Sequence, residues 1–397
     1  MAERLEPATA EELVAAVAKS EGPLEILGQG SKRDLGRPVQ VSQVLDLSRL
    51  TGVTLYEPEE LVLSAGAGTT VAEIERLLTA NGQMLAFEPP DLGPLFGQEA
   101  GRGTLGGMIA CNLAGPRRIK AGALRDHLLG ATAVNGRGEI FKTGGRVMKN
   151  VTGYDLCKLL AGSFGTLAAI ASATLKLQPA PEAVRTLMVR GLEDSAAMLL
   201  MSRAVGSAED VSGAAHLPGA AARHLPHADI GKAVTLLRLE GTPRSVTQRL
   251  SMLAKELEAP SDELGEIEST VLWRGLRNLS PFRGDHEAAI WRLSVPPTAG
   301  ADVLRACGGA ERYFYDWGGG LIWLAVAANG DAGAQRLRAA LSASRGHATL
   351  VRAPTAIRAA AEVFQPQEPA LAALSRRVKE SFDPAGRFNP GRMYAGI

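Results

Sequence analysis

The sequence has few of the residues that mark disulfide-rich, metal-cluster or nucleic-acid-binding proteins. Its 397 residues include only three cysteines, Cys111, Cys157 and Cys307. They are far apart and form no C-x-x-C pair, which supports neither a disulfide framework nor a self-contained iron–sulfur or zinc site. The net charge is only +1, so the composition gives no electrostatic argument for binding nucleic acid or an anionic lipid.

The sequence has no long apolar run either, and we expect no secretory leader. No stretch of about 18 residues is apolar and uncharged, so we expect no membrane-spanning helix. The N-terminal segment lacks a basic region followed by an apolar core, and Thr9 with Glu12 instead predicts a capping box at the start of a helix. A cytoplasmic protein of two or three globular domains is expected from this length and composition.

Short apolar runs and glycine turns alternate through the first 180 residues. Residues 24–87 show a βαβ-like rhythm, and Ile74, Leu77 and Leu78 mark one face of a helix. Asn135-Gly136 predicts a hairpin turn. Because Pro179 and Pro181 cannot continue a central strand, a domain boundary is expected near residue 180.

Strand and helix patterns also alternate beyond this boundary. Thr242-Pro243 predicts a helix start. The helix that follows is expected to bury one face, formed by Val246, Leu250, Leu253 and Leu257. The second part is therefore expected to be an α+β domain, a sheet covered by helices on one face, and it shows no internal sequence repeat.

Glycine clusters follow several apolar runs, and backbone amides at such turns can form concave sites for anionic oxygens. Gly101, Gly103 and Gly106 also spell G-x-G-x-x-G, but a proline-rich segment precedes them instead of the buried strand that a dinucleotide fingerprint requires. Gly106 and Gly107 begin a helix-like segment whose positive end is expected to present amides to a pyrophosphate. Several such turns favour a long ligand, although ordinary turns of an α+β domain would also contain glycine.

Five segments together carry a family resemblance: "ILGQGSK", "TLGGMIACNLAGPRR", "GALRDHLLG", "VMKNVTGYDLCKLLAGSFGTL" and "FDPAGRFNPGRMYAGI". They resemble the FAD-binding family of vanillyl-alcohol oxidase and D-lactate dehydrogenase type, and within it the E subunits of bacterial glycolate oxidase. The resemblance implies an α+β fold, with a two-subdomain FAD-binding domain at 1–180 and a smaller α+β cap at 181–370. A C-terminal helix and tail, 371–397, would return toward the FAD-binding domain.

The same resemblance implies a set of FAD-binding positions. Those of the first pyrophosphate-binding turn, the P-P-D segment and the loop and helix that wrap the flavin are Gly28, Gln29, Gly30, Ser31, Asp91, Thr104, Gly106, Gly107, Ala110, Asn112 and Gly115. The R-D pair, the K-N-V-x-G-Y-D-L segment near the ring and the G-T-L segment contribute Arg125, Asp126, Asn150, Gly153, Asp155, Leu156, Gly165, Thr166 and Leu167.

Histidine distinguishes this sequence from other members of the resembled family. Its first glycine turn contains no histidine for covalent attachment, so noncovalent FAD is expected. The histidine-rich metal and base site of the related hydroxyacid dehydrogenases is not found; His224 and His227 are close in sequence but are interpreted as a loop pair, and no metal is expected. His127 is expected to belong to the fold of the FAD-binding domain.

Oxidation of a 2-hydroxyacid needs a base, a cation for the carboxylate and a hydride acceptor. Arg292 and His347 are the candidate catalytic residues by type, although each could be structural. The resemblance implies a glycolate-oxidising complex with a sister FAD-containing catalytic subunit and an iron–sulfur subunit, and peripheral association with the inner membrane through that complex. A self-sufficient FAD-dependent 2-hydroxyacid dehydrogenase and a flavin-free scaffold remain alternatives.

Overall fold

The computed structural model describes residues 3–146, 153–228, 231–285, 287–310 and 312–397. Its strands are β1 Glu3–Leu5, β2 Leu24–Leu27, β3 Gln43–Asp46, β4 Val53–Glu57, β5 Val62–Gly66, β6 Gln83–Met84, β7 Leu128–Asn135, β8 Ile140–Gly144, β9 Ala168–Lys176, β10 Gln178–Pro179, β11 Ala183–Arg190, β12 Gly213–Leu217, β13 Val234–Gly241, β14 Ser261–Leu264, β15 Ala288–Ser294, β16 Arg312–Asp316, β17 Leu321–Ala327 and β18 His347–Arg352. Its α-helices are α1 Ala10–Lys19, α2 Val71–Thr79, α3 Leu105–Cys111, α4 Arg118–Ala121, α5 Leu124–His127, α6 Cys157–Leu160, α7 Asp194–Gly206, α8 Gly219–Ala222, α9 Pro243–Leu257, α10 Glu266–Arg277, α11 Gly300–Ala306, α12 Ala334–Leu341, α13 Thr355–Ala360 and α14 Pro369–Phe382.

The chain divides into two compact units. The first comprises Met1–Ala114, Ala123–Ala180 and Pro366–Ile397, and the second comprises Gly115–Gly122 and Pro181–Gln365. The sequence-based ranges differ from these units at 115–122 and at 366–370. The first difference has a clear cause, because two ion pairs fix the short segment 115–122 within the second unit: Arg117 with Glu240, at 2.9 Å, and Lys120 with Asp210.

The first unit contains a five-stranded antiparallel sheet in the order β4-β5-β9-β7-β8. Apolar residues of α2 and α3, among them Ile74 and Met108, pack with the sheet residues Leu63 and Leu175 in one buried cluster. The predicted hairpin turn joins β7 to β8, where the Asn135 side chain accepts hydrogen bonds from the N–H groups of Arg137 and Glu139. The sheet therefore packs against α3, which belongs to the glycine-rich segment.

A smaller parallel sheet, β1-β3-β2, completes the first unit together with the two-stranded pair β6-β10. The βαβ-like rhythm predicted for 24–87 is not realised here. β2 and β3 are parallel neighbours, but residues 28–42 connect them without a helix. The one α-helix in that range, α2, follows β5 and begins at the capping residue Thr70.

The second unit is built on an eight-stranded antiparallel sheet in the order β14-β11-β13-β12-β16-β17-β15-β18. Its two halves have the same succession of paired strands and principal helices: β11, α7, β12, β13, α9, β14, and then β15, α11, β16, β17, α12, β18. The halves meet where His216 of β12 pairs with Tyr315 of β16. A duplicated topology is therefore present without an internal sequence repeat.

Helix α9 confirms a local sequence prediction. It begins with Pro243 after the N-cap Thr242 and buries the four predicted residues, Val246, Leu250, Leu253 and Leu257. The Thr242 side chain makes no capping hydrogen bond. None of the helices in the described part of the chain combines the length and apolar character needed to cross a membrane.

Candidate cofactor site

The turn after β2, residues 28–32, carries a run of backbone N–H groups that have no partner in the described part of the chain. Among the described residues, no acceptor receives a hydrogen bond from the N–H groups of these five residues. Gly30 has a φ of 73°, a left-handed conformation that glycine adopts without strain. Because successive free amides form a concave site for anionic oxygens, this β2 turn fits a phosphate group.

Lys32 adds a positive charge to the same turn, and the sequence analysis did not include it. Its Nζ lies 3.3 Å from the Ser31 hydroxyl oxygen and forms no ion pair with a carboxylate of the described residues. Burial lowers the pKa of Lys32, whereas the charges of Cys111 and Asp91 act to raise it. A partly desolvated ammonium is stabilised by a bound anion.

The β2 turn forms one wall of a cleft that is also lined by Thr104 and Gly107. An overlapping cleft shares these residues and extends along Gly106 and Ala110 of α3. Its walls include the apolar side chains of Leu47 and Ile170. The first unit therefore presents an elongated groove that has an anion-binding turn and an apolar continuation, which suits a dinucleotide with a pyrophosphate.

The start of α3 does not act as the sequence analysis expected. Its first three N–H groups already have partners: Leu105 donates to the Thr69 carbonyl at 2.9 Å, Gly106 to the Ala67 carbonyl at 2.8 Å, and Gly107 to the Thr104 hydroxyl at 3.3 Å. The expectation of free amides here is wrong, because the carbonyls of Ala67 and Thr69 after β5 and the Thr104 hydroxyl accept hydrogen bonds from them. A Cβ on Gly106 would lie 2.9 Å from the Ala67 Cβ, so this glycine permits close packing.

The C-terminal tail makes side-chain hydrogen bonds to residues in or next to the groove. The Asn389 side chain accepts a hydrogen bond from the Ile26 N–H at 2.9 Å and donates one to the Phe164 carbonyl at 2.7 Å. Arg392 donates to the Arg33 carbonyl at 2.8 Å and to the Glu25 carboxylate at 3.0 Å. Sequence reasoning missed both residues as parts of the site, because more than 200 positions separate them from their partners.

Three other predicted cofactor positions accept hydrogen bonds from backbone N–H groups of the first unit. Asp91 accepts hydrogen bonds from the N–H groups of Gly93 and Gly101, at 3.2 and 2.7 Å. Asn112 ends α3 in a left-handed conformation, and its side chain accepts from the Arg125 N–H at 3.1 Å. Asp126 caps its own short helix by accepting from the Ala123 N–H. Direct contact of these side chains with FAD stays a prediction.

Predicted positions from the "KNVTGYDL" and "GTL" segments have different surroundings. Asn150 lies outside the described residues, whereas Gly153 and Asp155 are exposed and Leu156 is partly buried. Gly165 lines the groove. Thr166 and Leu167 are buried.

Thr166 has a structural partner in the C-terminal helix. Its carbonyl accepts a hydrogen bond at 2.7 Å from the buried Lys379, which also pairs with Asp383 at 2.6 Å. Gly115 belongs to the second unit, where its carbonyl accepts from the Trp317 indole N–H at 3.0 Å. Cofactor contact by Thr166 and Gly115 therefore also stays a prediction.

Three histidines have no expected role in binding: His127, and the pair His224 and His227. His127 is buried in the first unit, and its ring centroid lies 5.3 Å from that of Phe87. His224 and His227 follow α8 in the second unit, and Asp229 beside them lies outside the described residues.

The second unit brings the two candidate catalytic residues together. Arg292 of β15 pairs with Thr349 of β18, and Ser294 pairs with His347. Because side chains two residues apart share a face of a strand, Arg292 and His347 lie on the same face of neighbouring strands. Burial, followed by the charges of Arg292 and Arg118, lowers the pKa of His347, which favours the neutral imidazole.

Arg118 was not predicted as part of this group. Its guanidinium carbon lies 4.6 Å from the ring centroid of Trp317, and that of Arg292 lies 5.1 Å from the same centroid. Burial, followed by the charge of Arg118, lowers the pKa of Arg292 to about 10. Two guanidinium groups are therefore grouped around one indole ring in the second unit, and their charges reach His347.

A curated relative covers nearly the whole chain. Glycolate oxidase subunit GlcE of Escherichia coli (strain K12) is 36% identical over 375 residues, which span 94% of this chain and 93% of the relative. The chain belongs to the GlcE family. Residues 3–144 also match the family model of the FAD binding domain, and residues 357–393 match that of the C-terminal domain of FAD linked oxidases. This GlcE-family chain is an FAD-linked oxidoreductase, and its cofactor is FAD.

Two further comparisons concern a second curated relative and a solved structure. D-lactate dehydrogenase of Anaerostipes hadrus is 35% identical over 199 residues, 48% of this chain and 40% of the relative. The solved structure of 4-ethylphenol oxidase from Gulosibacter chungangensis superimposes with a TM-score of 0.74 over 99% of this chain and 89% of that one, at 14% identity. The structural likeness shows a shared fold, and confirms the predicted fold class.

The residues of the first unit fit FAD. The β2 turn supplies five free N–H groups and Lys32 supplies a cation, which together match a pyrophosphate. On the other side of the groove, added side-chain atoms at Gly107 would approach Lys32, so a glycine there leaves room beside the cation. Noncovalent attachment stays a prediction from the histidine-free β2 turn.

Proposed function

We propose that the chain is the FAD-binding subunit of a multi-subunit glycolate dehydrogenase that oxidises glycolate to glyoxylate. The observation that carries the proposal is the match to GlcE, a glycolate oxidase subunit, along 94% of this chain. The β2 turn supports it because it offers a phosphate-binding site in the matched region. When bound, FAD supplies a two-electron acceptor for oxidation of an alcohol carbon.

The proposed partners are a sister FAD-containing catalytic subunit and an iron–sulfur subunit. Glycolate oxidase subunit GlcD of Bacillus subtilis (strain 168) is 33% identical over 172 residues, 43% of this chain and 35% of that relative, which supports descent of both subunit types from one FAD-binding ancestor. All three cysteines of this chain are free thiols, and we assign iron–sulfur chemistry to the partner. The proposed location is the cytoplasm, with attachment to the inner membrane through the complex.

A second candidate function has its own support. Arg292 and His347 share a face of β15 and β18, and a guanidinium and a neutral imidazole could hold a carboxylate and accept a hydroxyl proton. This arrangement favours a self-sufficient 2-hydroxyacid dehydrogenase. The two functions differ in whether the isolated chain oxidises a 2-hydroxyacid without partner subunits.

Purified chain alone is expected to oxidise glycolate little, whereas the assembled complex converts it to glyoxylate. A positioned general base contributes roughly 10²- to 10⁴-fold in rate, and in our account the sister subunit supplies it. The measurement is glycolate-dependent reduction of an artificial acceptor by the chain alone and by the co-expressed complex, with D-lactate as a second substrate.

Arg292→Ala and His347→Ala in the isolated chain decide between the two candidates, with Arg376→Ala on α14 as an arginine control remote in sequence. Robust turnover by the chain alone that both variants abolish, and the control keeps, would establish the self-sufficient enzyme. A complex that fails to form glyoxylate would contradict the proposed subunit function.

A further inference from the structure

We propose that Asn389 in the C-terminal tail is a positioning residue of the FAD site, and that it couples the tail to cofactor binding. Its side-chain amide joins two residues that line the groove, Ile26 of β2 and Phe164 of the turn before β9. All three residues lie along both clefts of the groove. The inference rests on FAD as the cofactor and is independent of the proposed glycolate activity.

The first argument is that the backbone of the tail places this amide beside β2. The Leu24 N–H donates to the Arg387 carbonyl at 2.7 Å, and the Asn389 N–H donates to the Leu24 carbonyl at 2.9 Å. The tail therefore runs parallel to the start of β2, with a bridge between Leu24 and Phe388. This pairing sets the register that brings the Asn389 side chain to the Ile26 N–H.

The second argument is that both ends of the amide are used. Its Oδ1 accepts from the Ile26 N–H at 2.9 Å, and its Nδ2 donates to the Phe164 carbonyl at 2.7 Å. Because one partner is a donor and the other an acceptor, a single orientation of the amide satisfies both. Asn389 is only 3% exposed, and a buried polar group that loses its partner is costly. The amide therefore fixes the separation of Ile26 and Phe164.

The third argument is that the hydrogen bonds continue from Phe164 to α3. The Phe164 N–H donates to the Ala110 carbonyl at 2.9 Å, and Ala110 lines both clefts together with Gly107. A Cβ on Gly165 would lie 2.7 Å from the Asn389 Nδ2, so this turn packs directly against the amide. A continuous series of hydrogen bonds thus connects β2 with α3 through Asn389, and the two elements that line the groove keep a fixed spacing.

Two variants of the full chain test the role of the amide. Asn389 has a φ of 41°, a conformation that glycine and aspartate also adopt. Asn389→Gly removes both side-chain hydrogen bonds, whereas Asn389→Asp keeps an acceptor for Ile26 and loses the donor to Phe164. Each variant is expected to weaken FAD binding by about tenfold or more, measured by flavin fluorescence titration of the apo chain.

Asn81→Asp is the matched control. The Asn81 side chain also donates to a backbone carbonyl, that of Leu77 at 2.9 Å, but at an exposed helix end. Losing this bond should leave FAD affinity unchanged. Parental affinity in Asn389→Gly would overturn the proposal, and so would a loss confined to Asn389→Asp, which would reflect the added charge alone.

A second readout separates positioning of the groove from a purely structural role. Coupling between two sites is reciprocal, so bound FAD must stabilise the contacts of the tail. The N–H groups of Leu24 and Asn389 should therefore exchange with solvent about tenfold more slowly in the FAD-bound parental chain than in the apo chain. A purely structural role would lower the urea stability of the apo variants without this FAD-dependent protection.

Absence of FAD-dependent protection at both N–H groups would overturn the proposal. This measurement needs no variant, so it decides the question even if Asn389→Gly fails to fold. Because no turnover is measured, loss of glycolate oxidation in the complex would contradict the proposed function and leave this result standing.

Discussion

Replacement of Gly107 by Asp is expected to abolish FAD binding. A Cβ at this position would lie 3.2 Å from the Thr104 hydroxyl oxygen and 3.4 Å from both Cε and Nζ of Lys32. The new carboxylate would pair with Lys32 and repel a pyrophosphate at the β2 turn. We expect FAD affinity to fall by at least about 100-fold, which corresponds to the loss of one or two charge-assisted hydrogen bonds.

The measurement is the amount of FAD released by acid from the purified protein, together with flavin fluorescence titration of the apo chain. Gly107→Asn keeps the size of the substituent without its charge, so it should bind FAD more tightly than Gly107→Asp. Gly206→Asp at the end of α7, where a Cβ meets nothing within 4 Å, is the matched control. Parental flavin content in Gly107→Asp would show that this glycine does not face the cofactor.

Replacement of Glu25 by Gln is expected to destabilise the first unit by about 3–5 kcal/mol, the usual effect of removing one partner of a buried ion pair. The Glu25 side chain is 4% exposed and accepts from Arg33 at 2.6 Å and from Arg392 at 3.0 Å. Without its charge, the buried Arg392 guanidinium loses its carboxylate. FAD binding should weaken as well, because Arg392 also holds the Arg33 carbonyl beside the β2 turn.

Urea unfolding of the apo chain measures this loss, and FAD titration measures the accompanying change in affinity. Glu263→Gln supplies the control, since its pair with Arg185 is long, at 3.9 Å, and both side chains are more than one-third exposed. That substitution should change stability by no more than about 1 kcal/mol. A similarly small effect of Glu25→Gln would mean that the buried pair does not support the turn.

Sequence patterns predicted those features that depend on near neighbours. The face of α9 follows from the spacing of Val246, Leu250, Leu253 and Leu257, and the structure buries all four. The β2 turn was predicted as an anion site because a glycine cluster follows an apolar run, and its free N–H groups agree with that interpretation.

Features that depend on contacts between residues distant in sequence could not be predicted from such local patterns. Gly106 and Gly107 predict a helix start, but whether their N–H groups are free depends on Ala67 and Thr104. Asn389 and Arg392 contact the groove only after the chain has returned to the first unit. Arg118 lies in a segment that its ion-pairing neighbours fix within the second unit.

The duplicated topology of the second unit escaped sequence analysis for a related reason. The two halves share the order of their strands and principal helices, and a backbone pattern of this kind needs only apolar periodicity, which many different residues satisfy. Arg292 and His347 were selected by residue type alone. Their placement on one face depends on the β15–β18 register, which no local pattern specifies.

Amide hydrogen exchange with and without FAD tests most directly the claim that the β2 turn binds the cofactor's pyrophosphate. Residues 28–32 should exchange at least about tenfold more slowly in the FAD-bound chain, because their free N–H groups gain acceptors. The N–H groups of 105–107, already bonded within the protein, should change far less. Strong FAD-dependent protection at 105–107 with none at 28–32 would contradict the account.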